Sequence, residues 1–404
     1  MDELIKNKNF CVIPFTRQTL WYAGSYKLCC YTGGEDISQE QNNRRSFNSD
    51  QLKKIRNEFL NGNYPNECMR CKNLSDKDLV PPNVHENSSW LSSKEKHRAL
   101  VKNILEFSQG KEILPQMLDI RFSNVCNLKC RTCNPANSSA IQAEYNIHFQ
   151  NNNMKKFNVG QIKQKYYHNI DDMDDDFFRI YFAGGEPLLE QYNLNFLESY
   201  NNLDTEIIIN TNLTILNVRI IQILSRFKDV KLMVSLDGTS AVNDYIRHGS
   251  NFENIIENIR IVNKLENVQI VVNFVLNMYN VFDIKNFFQY FETNFPDLVS
   301  HISICPISIE KELFLECMPA ELRSEAIEIL KSCLGLTEHS QYILQDSIKI
   351  LEQDNFNQSE FDNFIKYSLA LDKIRNQSLI TVVPQFSPYV DLHKEDNLKL
   401  VNVI

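Results

Sequence analysis

The chain has 404 residues, with 42 Lys and Arg against 51 Asp and Glu, giving a net charge of −9. That length exceeds one ordinary domain, and the acidic balance disfavours wholesale binding to nucleic acid or to an anionic membrane. Hydrophobic residues make up 43% and charged residues 23%, as in soluble globular proteins, and no run approaches the roughly 18 apolar residues of a spanning helix.

The N-terminal stretch "MDELIKNKNFCVIP" lacks the apolar centre of a signal peptide, so a reducing cytoplasm is the expected compartment. Eleven cysteines, an odd count, then read as ligands, catalysts and core residues rather than as a disulfide framework. Residues 1–110 hold Cys11, Cys29, Cys30, Cys68 and Cys71, together with a helical pattern at 49–62. Cys68 and Cys71 form a CxxC, a frequent half-site for zinc or iron–sulfur.

From residue 118 onward, six short β-branched or aromatic runs alternate with amphipathic segments: 118–123, 179–185, 206–212, 231–238, 269–277 and 300–307. Each ends in Gly, Asn, Ser or Pro, as buried strands do. The clearest helix is "NFENIIENIRIVNKL", with Phe252, Ile255, Ile256, Ile259 and Val262 on one face. This alternation predicts parallel βαβ units, an α/β fold built as a partial (β/α)6 TIM-like barrel. The acidic run 171–178 reads as part of a solvated insertion. Three amphipathic segments after residue 310 predict a helical C-terminal extension and tail. The expected division is a small cysteine-rich N-terminal unit over 1–110, the barrel over 115–308 and the helical region over 309–404.

Directly after the first run, "CNLKCRTC" places Cys126, Cys130 and Cys133 on a loop at the C-terminal mouth of the barrel, where such folds keep their sites. A structural zinc or a closed four-iron cluster takes four protein ligands. Three thiolates suit three irons of a cubane and leave the fourth open. The chemistry that uses an open iron is reductive cleavage of S-adenosylmethionine (SAM), whose amino and carboxylate groups chelate it. A zinc loop is the competing reading. The later strand ends carry matching polar groups. In "GGEP", Gly184 and Gly185 bring backbone close to a ligand, and Glu186 or the exposed carbonyls can accept from the methionine ammonium. Asn210, Asn212, Ser235 and Asp237 are short polar groups suited to ribose hydroxyls, although each alone also suits a helix cap.

Over about residues 115–305 these motifs resemble the radical SAM superfamily. "CNLKCRTC" is similar to its cluster motif, "GGEP" to its methionine-binding turn, and "VSLDG" with "NDYIRHGSNFENIIENI" to the SPASM-type branch. The resemblance implies that Arg247 contacts the methionine carboxylate and that Ser235 and Asp237 lie near the cofactor. Thr132 departs from the pattern, in which the residue before the third cysteine is usually bulky. Cys11, Gly24 and Cys29 resemble half of an auxiliary-cluster unit, and with "CMRC" the N-terminal region resembles a group carrying a Twitch unit ahead of the barrel. On that resemblance Cys11, Cys29, Cys68 and Cys71 hold an auxiliary [4Fe–4S] cluster. Cys30 competes with Cys29, since spacing does not separate adjacent thiols, and zinc competes with the cluster. "DKIRNQ" (372–377) resembles a terminal Asp-x-x-Arg feature of the same group, physically a helix-end ion pair.

The implied activity is reductive cleavage of SAM to a 5′-deoxyadenosyl radical that abstracts hydrogen from a C–H bond. The implied substrate is a peptide or protein, and the implied electron donor is a flavodoxin or ferredoxin. A radical SAM dehydrogenase of an amino-sugar or nucleoside-like small molecule is one alternative. A non-catalytic iron–sulfur or zinc scaffold is the other.

Overall fold

The structure, a computed structural model, describes residues 2–21, 25–30, 32, 36–38, 43–77, 79–148, 176–307, 311–337, 340–353 and 356–392. Gly24 and positions 171–175 of the acidic run lie outside them. In chain order the elements that matter here begin with β1 (Arg17–Trp21), β2 (Ser25–Lys27), α1 (Asp50–Leu60), α2 (Met69–Asp76), α3 (Pro82–Leu91) and α4 (Lys94–Ser108). Then come β3 (Met117–Ile120), β4 (Lys129–Cys130), α5 (Ser139–His148), β5 (Arg179–Phe182), α6 (Gln191–Ser199), β6 (Glu206–Thr211) and β7 (Val230–Ser235). After them follow α7 (Ser240–Ile246), β8 (Arg247–His248), α8 (Phe252–Val262), β9 (Val268–Leu276), α9 (Ile284–Asn294) and β10 (Ile302–Pro306). The chain continues through α10 (Ala320–Ser332), α11 (Gln341–Glu352) and α12 (Gln358–Arg375).

All six strands expected of the α/β run are present, as β3, β5, β6, β7, β9 and β10. β3, β5, β6, β7 and β9 stop before the residue that closed their runs, whereas β10 runs through Pro306, and Asn210 and Ser235 lie within the last two residues of β6 and β7. The chain divides into two compact units. One is drawn from the described parts of 1–124, 160–209 and 219–231, the other from those of 125–159, 210–218 and 232–404.

In the first unit β1, β3, β5 and β6 pair side by side in parallel, with Arg17 opposite Met117, Met117 opposite Arg179 and Arg179 opposite Glu206. β2 closes the edge antiparallel to β1. The period-2 rule puts Leu118, Ile120, Ile180, Phe182, Ile207 and Ile209 on one face, all nearly inaccessible. The other face carries polar groups: Asp119 and Arg121 pair at 3.1 Å, and Arg121 lies 4.6 Å over the Trp21 ring. β1 and β2 were not expected. "RQTLW" buries Arg17, Gln18 and Thr19 along with Leu20, so it offers no apolar run to read.

In the second unit β9 and β10 pair in parallel, Ile302 opposite Val272, and Leu236 beyond β7 donates to the Asn273 carbonyl at 3.0 Å. α8 begins where the Asn251 side chain accepts from the Asn254 N–H at 2.9 Å, and it buries the five apolar residues its periodicity marked. Each such side chain contributes roughly 1.5–3 kcal/mol by leaving water. α12 starts at an Asn357 cap and ends at Asn376, whose φ of 52° is the left-handed conformation that stops helices.

Candidate active site

The loop bearing Cys126, Cys130 and Cys133 belongs to the second unit and is built by local bonds. The Ser139 hydroxyl accepts from the Cys126 N–H at 3.1 Å, and the Cys126 sulfur accepts from the Leu128 N–H at 3.5 Å. Asn134 turns the chain beyond Cys133 by accepting from the Ala136 and Asn137 N–H groups. β4 pairs antiparallel with β8, setting Cys130 directly opposite Arg247. Arg247 Nη1 lies 3.8 Å from the Cys130 sulfur, and its Nε lies 2.9 Å from Asp237. All three cysteines are half-buried. Desolvation pushes the Cys130 thiol up to about 11, with Arg247 pulling the other way.

Asp237 is wholly buried, and its other oxygen accepts from the Val275 N–H at 3.0 Å. The buried Asp237–Arg247 contact is an ion pair without hydrogen-bond geometry. Ser235 donates to the Asn210 side chain at 3.3 Å. Asn212 donates to Asn127 at 3.0 Å, and Asn127 donates to Thr214 at 2.8 Å, so the end of β6 is tied to the cysteine loop. Asn127 and Thr214 carried no signal in the sequence beyond being polar.

The "GGEP" turn belongs to the first unit and lies against the end of β3. Gly184 has a φ of +122°, and a Cβ there would stand 2.7 Å from the Ser123 carbonyl. The Gly185 N–H donates to that same carbonyl at 3.2 Å. Glu186 is 2% exposed and accepts from the Leu188 N–H at 3.0 Å, capping its own turn. Glu190, which the sequence did not single out, caps α6 by accepting from the Tyr192 N–H and also accepts from the Ser123 hydroxyl.

Also in the first unit, Cys11, Cys29, Cys68 and Cys71 line one cavity together with Leu28, Tyr64 and Glu67. Cys30 is exposed and does not line it. Cys68 and Cys71 come at the start of α2; burial raises both thiols, and at Cys71 Arg70 pulls the other way. Cys11 is held by α3: Asn83 and Asn87 both donate to the Phe10 carbonyl, and Asn87 accepts from the Val12 N–H. Burial raises the Cys11 thiol well above its ordinary value, and Cys68, Cys29 and Cys71 add to the rise. A thiol so placed is stable as a metal thiolate or as a neutral group. Among the described residues no three His, Cys, Asp or Glu side chains gather closely enough to hold a single metal ion. Of the remaining cysteines, Cys305 donates to Asn273 at 3.4 Å, and Cys317 and Cys333 are buried.

Among the described residues no helix is long and apolar enough to cross a membrane. Comparison with curated proteins found no match. Among solved structures, SuiB of Streptococcus suis bound to S-adenosylmethionine is 18% identical, with a TM-score of 0.38 over 66% of this chain and 58% of that one. The same protein bound to its precursor peptide SuiA is 16% identical, with a TM-score of 0.40 over 74% and 67%. The enzyme anSMEcpe with bound AdoMet and the Kp18Cys peptide is 15% identical, with a TM-score of 0.37 over 54% and 59%. This chain thus spans less than two thirds of the first SuiB structure. The Radical SAM superfamily matches residues 120–290, from the end of β3 into α9, including the three-cysteine loop and Arg247. Residues 120–290 of this chain are a radical SAM domain.

Proposed function

We propose that the protein is a radical SAM enzyme that modifies a peptide or protein, with Cys126, Cys130 and Cys133 holding a [4Fe–4S] cluster whose fourth iron takes SAM. The observation that carries this reading is the three-thiol loop inside the matched domain, with Arg247 held beside Cys130 by a buried carboxylate. The residues fit such a group: three half-buried thiols, an N–H donor on one sulfur and a guanidinium by another. When bound, the cluster and SAM supply a 5′-deoxyadenosyl radical that takes hydrogen from the substrate. The chain's part is to bind and orient. Within the second unit Arg247 is offered to the methionine carboxylate and Asn210, Asn212 and Ser235 to the ribose, with Asp237 paired to Arg247. Within the first unit the backbone carbonyls of the Gly184–Gly185 turn are offered to an ammonium, since Glu186 is buried and caps its own turn.

In the same proposal Cys11, Cys29, Cys68 and Cys71 hold an auxiliary [4Fe–4S] cluster. Support comes from their shared cavity, which separates Cys29 from Cys30. The peptide substrate rests on the SPASM- and Twitch-type motifs, and the acidic chain suits a basic or neutral peptide. A flavodoxin or ferredoxin would deliver the electron.

The test is anaerobic incubation with a reductant and SAM. 5′-Deoxyadenosine forms, and replacing Cys126, Cys130 and Cys133 by Ala abolishes it; undiminished formation would sink the reading. Iron analysis of that variant should leave about four irons per chain on the N-terminal thiols.

A further inference from the structure

The residues on either side of Cys130 are gripped from the far end of the sequence, within the second unit. Arg131 has no exposed surface and lies 3.7 Å over the Tyr245 ring. It donates to Asp372 at 2.6 Å, to Gln377 at 3.0 Å and to the Tyr245 carbonyl at 3.0 Å. One helical turn past Asp372, Arg375 donates to both oxygens of Glu144, at 3.2 and 2.7 Å. Glu144, on α5, also takes Lys129 at 3.3 Å. Asp372 and Arg375, at the end of α12, thus hold Arg131 directly and Lys129 through Glu144.

The charges around this grip do not cancel. Lys129, Arg131, Arg247 and Arg375 are ion-paired with Glu144, Asp237 and Asp372, four cations against three carboxylates. Asp244, nearby in sequence, is a fourth carboxylate, bonded to the neutral Phe252 N–H and Ser250 hydroxyl at the start of α8, so the surplus is that of the Lys129–Glu144–Arg375 group itself. The odd cation arises because Lys129 and Arg375 share one carboxylate, and Arg375 keeps a buried Nη1 without a partner.

We propose that α12 is the positioning element of the cysteine loop, and that the Lys129–Glu144–Arg375 group makes the loop easier to reduce by leaving one uncompensated positive charge beside it. This rests on the reading that Cys126, Cys130 and Cys133 hold a cluster. One-electron reduction by an external donor adds one negative charge to that cluster. A nearby positive charge stabilises the reduced form more than the oxidised form.

Two substitutions that break the same ion pair therefore act in opposite directions. Arg375→Gln removes a positive charge, and Glu144→Gln removes a negative one. Lys129→Gln removes a positive charge from a side chain with 36% of its surface exposed, where folding is not at stake. Each reconstituted variant is poised anaerobically with dithionite at the potential that half-reduces the parent. The reduced cluster is read by its paramagnetic signal, taking only the signal that vanishes in the Cys126, Cys130 and Cys133 to Ala protein. The expected result is a reduced-to-oxidised ratio about tenfold lower for Lys129→Gln and Arg375→Gln, and about tenfold higher for Glu144→Gln. A purely structural grip moves all three the same way or not at all, and either outcome overturns the inference. If the parent shows no signal dependent on those cysteines, the cluster reading itself fails and the inference falls with it.

Discussion

Replacing Gly184 by Ala perturbs the turn after β5 at a single atom. The φ of +122° is one that L side chains rarely adopt, which costs about 1–3 kcal/mol. The added Cβ also stands 2.7 Å from the Ser123 carbonyl, closer than carbon and oxygen tolerate. That carbonyl is held by the Gly185 N–H at 3.2 Å, so moving it away loses a hydrogen bond worth about 1 kcal/mol. The combined expectation is about 2–4 kcal/mol. Gly335 is the control: its φ is +86°, but nothing lies within 4 Å of a Cβ there, so Gly335→Ala bears the backbone strain alone. Urea unfolding of both apo variants, with m-values checked against the parent, gives the difference directly. Gly184→Ala costing no more than Gly335→Ala would refute the argument that the Ser123 carbonyl excludes a side chain here.

Cys29→Ala should lose the iron held by the N-terminal cysteines, about four atoms per chain, while Cys30→Ala keeps it, read by iron and sulfide analysis after reconstitution. Asp237→Asn should weaken SAM binding about 10- to 100-fold by freeing Arg247, measured by equilibrium binding to the reconstituted protein. Acid should release the grip of α12. Burial works against the Glu144 charge, but Arg375 and Lys129 outweigh it and hold the carboxyl below its ordinary 4.5. A carboxylate lowered in the folded state contributes stability that is present above about pH 4.5 and lost as pH falls through its folded value. Urea midpoints should therefore fall more steeply below pH 4.5 for the parent than for Glu144→Gln.

The six strands of the α/β run were legible because each is a short β-branched or aromatic stretch closed by a turn residue. α8 was legible because its five buried residues repeat at helical spacing. The three-cysteine loop stood out because its spacing is local, all within eight residues. What escaped is non-local or polar. β1 buries Arg17, Gln18 and Thr19, so hydrophobic pattern was silent about it. Arg131 and Asp372 lie 241 positions apart, and nothing in either segment names the other. That Cys29 lines the N-terminal cavity and Cys30 does not is a matter of backbone direction after β2, which spacing does not encode.

The place of β1 bears on how the chain can be cut. β1 forms a parallel ladder with β3 over four register pairs, from Arg17 with Met117 to Leu20 with Ile120. The connection between them runs through β2, α1 to α4 and Cys29, Cys68 and Cys71, while Cys11 precedes β1. A fragment beginning after α4 would present β3 as a bare edge with unpaired backbone groups and the apolar Leu118 and Ile120 beside them, a template for pairing with other chains. The region from β1 to α4 is therefore the sheet's own edge protection, and during synthesis β1 must wait nearly a hundred residues for its partner strand.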